Sequence, residues 1–112
     1  MDGVFLTMSV TDANVFIQGS GLIGDGSKAV TTAGTRVQLA ASTLCNRVII
    51  SAKASNSDVI VVGSTTVVAA DGTRRGVALF PGNSLDIHVN NLSLVWLDAV
   101  SSGDAVSFIY FV

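Results

Sequence analysis

Thr35-Arg-Val-Gln-Leu39 and Arg47-Val-Ile-Ile-Ser-Ala-Lys53 decide the fold class of this chain. In the first, Val37 and Leu39 fall on one side of an extended backbone, Arg36 and Gln38 on the other. In the second, Val48, Ile50 and Ala52 alternate with Arg47, Ser51 and Lys53. A period of two with one apolar side marks a strand that has one face in a core and the other in water. Ser84 to Val89 repeats it, with Leu85, Ile87 and Val89 inward and Asp86 and His88 outward.

Further β-branched and apolar runs lie at Asp58 to Val62, Thr65 to Ala69, Gly76 to Phe80, Leu94 to Val100 and Ala105 to Val112. Turn residues separate them. Gly63-Ser64 suits a tight type II′ hairpin joining its two flanking runs, and Pro81-Gly82 suits a type II turn. Asp71-Gly72, Asn90-Asn91 and Ser101-Ser-Gly-Asp104 mark the others. Seven to eight short strands at regular spacing predict an all-β, antiparallel, jelly-roll-like sandwich.

Composition agrees. The chain has eight aspartates and no glutamate, and Asp favours turns where Glu favours helices. At 112 residues there is room for one core. Residues 35–112 are assigned to the sandwich. Residues 1–34 are read as an arm or extra hairpin that orders on assembly, because Val4, Leu6, Met8 and Val10 alternate but Gly19 to Gly26 has the composition of a loop.

Charged residues make up 12% of the chain and hydrophobic ones 49%, where an ordinary domain is about 25% charged. Part of such a surface is expected to be covered by partners. The net charge is −2 and the six Lys and Arg residues are scattered, so the positive face that nucleic acid requires is not expected. The lone Cys45 cannot form a disulfide within the chain and reads as a small buried hydrophobe. Met1 to Val10 lacks the basic start of a signal peptide, and Leu92 to Val112 is broken by Asp98 and Asp104. Synthesis in a cytoplasm and no membrane span are therefore expected.

Candidate chemistry is sparse. Gly19-Ser-Gly-Leu-Ile-Gly24 has the form G-x-G-x-x-G, but Asp25-Gly26-Ser27 is no helix start, and that motif works through a helix amino terminus. Asp86 and His88 share a strand face without the third ligand a metal needs. Most aspartates fall at expected turns, where their side chains bond nearby amides. No catalytic residue, cofactor or metal is expected, and the chain reads as a non-enzyme.

Ala29-Val-Thr-Thr-Ala-Gly-Thr-Arg-Val-Gln-Leu-Ala-Ala-Ser42, Val48-Ile-Ile-Ser-Ala52, Val61-Val-Gly-Ser64, Pro81-Gly-Asn-Ser-Leu-Asp-Ile87 and Leu92-Ser-Leu-Val-Trp-Leu-Asp-Ala99 together resemble small β-sandwich virion proteins of tailed bacteriophages. The resemblance covers Ala29 to Val112. It implies a cement, decoration or staple protein on the capsid surface of the virion, with the major capsid protein and further copies of itself as partners. A chain of this size beginning at Met1 fits that role better than the alternative, a tail or fibre module that binds a host-surface receptor.

An interface of that kind has five candidate residues. Leu94, Trp96 and Val100 share one face of their strand with Asp98. A carboxylate is costly inside a sandwich, so Asp98 is expected to point outward and to take Trp96 with it, making Trp96 an interface anchor. The competing expectation puts Asp98 beyond the buried part of a twisted strand and Trp96 in the core. Arg74 and Arg75, the only basic doublet, read either as a solvated loop tip or, as interface candidates, as a contact to an acidic neighbouring subunit.

Overall fold

The computed structural model describes residues 21–112, so the alternating run from Val4 to Val10 lies outside the described residues. Among the described residues there are eight strands: β1 (Ile23–Ala29), β2 (Val37–Gln38), β3 (Arg47–Ala52), β4 (Ile60–Gly63), β5 (Val77–Leu79), β6 (Ser84–Ile87), β7 (Trp96–Ala99) and β8 (Ala105–Phe111). Single 3₁₀ turns occupy Asp71–Thr73 and Leu92–Leu94.

The pairings are nested and antiparallel. β1 pairs with β8, β2 with β7, β3 with β6 and β4 with β5, as though one long hairpin had been wound up. Two further pairings, β3 with β8 and β4 with β7, close the strands into two sheets of order β1-β8-β3-β6 and β2-β7-β4-β5. This is a jelly roll, the eight-stranded double Greek key anticipated from the strand spacing.

The inward residues are those the alternation picks out. Val48, Ile50, Ala52, Val106 and Phe108 of the first sheet meet Ile60, Val62, Leu79, Leu97 and Ala99 of the second, and all are buried. Pro81-Gly82 makes its turn as expected: Gly82 has φ of 89°, and the Asn83 amide donates to the Phe80 carbonyl at 2.9 Å.

Three expectations need correction. The Gly-rich stretch is not a loop throughout, since Ile23–Ala29 is the edge strand of the first sheet. Its glycines have a steric purpose: Gly24 and Gly26 stand opposite Tyr110 and Phe108. A Cβ at Gly26 would lie 2.6 Å from the Phe108 ring, and one at Gly24 would strike the Tyr110 ring. Glycine leaves room for two aromatic side chains to fill the edge of the core, a packing role that composition does not reveal. The sandwich therefore starts at β1 and not at Thr35.

Second, Gly63-Ser64 does not join two paired strands. β4 pairs with β5, and the run from Thr65 to Ala69 belongs to a long connection, held to itself by one bridge between Val68 and Arg75. Third, the strand expected to start at Leu94 starts at Trp96, because the Asn91 side chain accepts the Ser93 amide at 3.0 Å and caps the turn Leu92–Leu94.

Candidate interaction surface

The connection 64–76 folds back over the outer face of the second sheet. Val67 and Ala69 are buried there against Val61, with Trp96 and Ala78 packed around them, so this sheet carries a small second core on its outside. Trp96 does face outward, as the alternation demands, but it is half-buried under that connection. It neither fills the main core nor stands free as an anchor.

Asp98 leaves the interior on the same side and is nevertheless only 2% exposed. Its Oδ1 accepts the Gly34 amide at 3.0 Å and its own neighbour Ala99 at 2.9 Å, while Oδ2 accepts the Ala69 amide at 2.9 Å. The expectation that it would point to solvent is corrected on that account: three amides offset the cost of burial. Asp104 plays the same part at one end of the sandwich, where its two oxygens accept the amides of Ser57 and Asp58 at 2.8 and 3.0 Å.

The five candidate residues do not form one patch. Leu94 lies before β7 and Val100 after it, so they sit at opposite ends of the sandwich, 56% and 40% exposed. The arginine doublet also divides. Arg74 Nε donates to the Ala69 carbonyl at 3.0 Å, and its guanidinium lies 3.8 Å from Asp71, so Arg74 braces the connection. Arg75 is exposed and borders a groove with Gly63, Ser64, Thr66, Val67 and Gly76.

A different grouping emerges at the end where Leu94 lies. Leu44 is 73% exposed and bridges to Asn91 just before that turn. Leu22 and Ile23, each 65% exposed, enter β1 at the same end, where the Val112 amide donates to the Leu22 carbonyl at 3.0 Å. The Asn46 amide donates to the Phe111 carbonyl at 2.8 Å and ties Leu44's loop to the end of β8. Leu22, Ile23, Leu44, Leu94 and Val112 thus bring five of the eight exposed large hydrophobics among the described residues to one end. Sequence reasoning found only Leu94 of these. Leu44 sits in Ala41-Ser-Thr-Leu-Cys-Asn46, which has no period, and a lone leucine among small polar residues was the available signal.

The outer face of the first sheet borders the same end. Arg47 forks onto Asp86, with Nε at 2.9 and 3.1 Å and Nη2 at 2.6 Å from its oxygens, and lies 5.4 Å from the centre of the Phe111 ring. Hydrogen bonds from Arg47 hold the Asp86 carboxyl below the usual carboxylate range; desolvation opposes them, and the charges of Arg47 and then His88 add to the lowering. A carboxyl depressed by folding stabilises the fold above its unfolded titration range and loses that contribution as the pH falls through the lower, folded value. A carboxyl ¹³C titration should therefore place the Asp86 midpoint below that of an aspartate in the unfolded chain, and Arg47→Gln should move it upward. An unchanged midpoint in the variant would show that the fork does not persist in solution. Asp86, two residues before His88, is thus engaged by an arginine, and His88 lies just past the end of β6. Cys45 is buried, its Sγ donates to the Val89 carbonyl at 3.1 Å, and burial pushes its thiol up.

In class, then, the described residues form an eight-stranded jelly roll with a closed core and an apolar end. Comparison with protein-family models, with curated proteins and with solved structures gives no match.

Proposed function

We propose that this jelly roll is a non-enzymatic structural protein of a bacteriophage virion that binds the outside of the capsid and cements it. The gathering of Ile23, Leu44 and Leu94 at one end of a domain with a filled core carries this reading. Exposed large side chains that the core does not need are surface available to a partner. The resemblance of Ala29 to Val112 to virion β-sandwiches supplies the kind of partner, the major capsid protein.

A cement needs no reactive group. It needs a rigid body that touches two capsomers, because once one contact has formed the second is effectively intramolecular, and modest contacts repeated over a shell add up. The same apolar end would serve association between copies of the chain.

Purified protein added to shells that lack it should co-sediment with them and raise the temperature at which they break. The double substitution Leu44→Asp with Leu94→Asp should weaken that binding by about tenfold or more, since burying one leucine is worth about 1.5–3 kcal/mol, while the isolated domain melts within a few degrees of the wild type. Failure to bind shells, with binding to tails or host cells instead, would replace this reading with a receptor-binding one.

A further inference from the structure

The two arginines of the doublet, adjacent in sequence, have different fates, and the difference defines a site. Arg36 donates to the Val67 carbonyl at 3.2 Å, Arg47 forks onto Asp86, and Arg74 holds the Ala69 carbonyl and Asp71. Arg75 alone among the described arginines has a guanidinium with no hydrogen-bond or ion-pair partner among the described residues. It is not mounted on a mobile tip. Its backbone is pinned on both sides, its amide donating to the Val68 carbonyl at 2.9 Å and its carbonyl accepting the Val68 amide at 3.1 Å.

The groove it borders is a concavity of about 140 Å³ between Arg75-Gly76 and the turn that starts at Gly63. Two hydroxyls line it. Ser64 Oγ and Thr66 Oγ1 are 3.1 Å apart and bonded to each other, an arrangement that leaves one of the two hydroxyl protons to be donated elsewhere. The turn beneath is closed by the Val67 amide on the Ser64 carbonyl at 3.0 Å. No acidic side chain lines the groove.

We propose that Arg75, with the hydroxyls of Ser64 and Thr66, forms a recognition site for a carboxylate side chain of a partner protein. A planar guanidinium offers two parallel donors that match the two oxygens of a carboxylate, and a hydroxyl beside it supplies a third donor to the same group. The volume accommodates a carboxylate and a short stem, and the unpaired charge is carried on a backbone pinned to Val68 in an otherwise acidic chain. The site deepens the docking reading by naming the chemistry of the partner surface, acidic where it meets the 64–76 connection, but the carboxylate preference stands whether or not that partner is a capsid.

The test uses the full ¹⁵N-labelled chain without any shell, so that its failure is distinct from a failure to bind capsids. Sodium acetate is titrated at constant ionic strength against chloride, with phosphate as a parallel arm. Acetate should shift the Arg75 Nε–H and the Ser64 and Thr66 amides along one saturating curve, with half-saturation on the order of 10–100 mM, as befits a single isolated contact. Arg75→Gln should abolish the curve with melting unchanged. Arg75→Lys should keep the fold and weaken binding about threefold or more, since the ammonium lacks the fork. No saturable shift, a shift that persists in Arg75→Gln, or saturation by phosphate but not acetate would each overturn the proposal.

Discussion

Replacing Asp98 by alanine is expected to cost the isolated domain about 3–5 kcal/mol, the range for removing one member of a buried polar network and stranding its partners. Three amides lose their acceptor at once. Two of them, those of Gly34 and Ala69, come from connections distant in sequence that Asp98 ties to the outer face of β7. For a domain of this size such a loss lowers the melting temperature by well over 10 °C, at about 4–8 °C per kcal/mol. Asp98→Asn should recover little of it, because its amide nitrogen presents a donor to one of these N–H groups. Release of Ala69 also uncovers the cluster of Val61, Val67 and Trp96, so Trp96 emission should shift to the red before the domain unfolds. A variant that melts like the wild type, with Trp96 emission unchanged, would mean that the connection is held by its apolar contacts and not by the carboxylate.

Gly76→Ala should be of similar size, for a different reason. Gly76 has φ of 116°, a conformation that side chains rarely adopt. A Cβ there would also stand 2.5 Å from the Val62 carbonyl oxygen and 2.9 Å from a Val61 methyl. Those atoms belong to β4, a central strand, and cannot retreat as the end of a flexible side chain can. The expected cost is about 3 kcal/mol or more, strain and clash together, read as a fall in denaturant midpoint with the slope unchanged. Gly72→Ala in the same connection has open space around it and supplies the control. Equal effects at the two positions would show that the connection adapts and that the backbone at Gly76 is not fixed.

The legible parts of the fold were those governed by a period. Val48, Ile50 and Ala52, and Leu85 and Ile87, announce their faces because one side of each strand is wet. The second sheet was harder. Val61 and Trp96 are apolar on its outer face because the connection 64–76 covers them, and a strand covered on both sides has no clean alternation. The same cover explains the misplaced hairpin, since Val67 and Ala69 are apolar for burial on the outer face of the sheet and not for pairing in it. β1 was missed for the opposite reason: its inward positions are Gly24 and Gly26, whose apolar partners are Phe108 and Tyr110 on another strand.

For the candidate site, type was legible and position was not. A poorly charged composition foretold an exposed apolar surface, but Leu44, Leu94, Leu22 and Val112 are far apart in sequence, and only the winding of the sheets brings them to one end. The Arg74-Arg75 doublet was visible at once, whereas the division of labour within it depends on which carbonyl each guanidinium can reach.

The nested pairing also constrains the order in which the molecule can come into being. β4 and β5 meet across one connection and can find each other early, but among the described strands β1 pairs only with β8, which is also the strand on which β3 closes the first sheet. Loop-closure entropy for these outermost pairs must be met before their contacts repay it. Folding should therefore be slow for so small a domain and complete only after synthesis of the last strand. Until then Val48 and Ile50 are open to other chains, so the interval between synthesis and closure is when this protein is most exposed to misassembly.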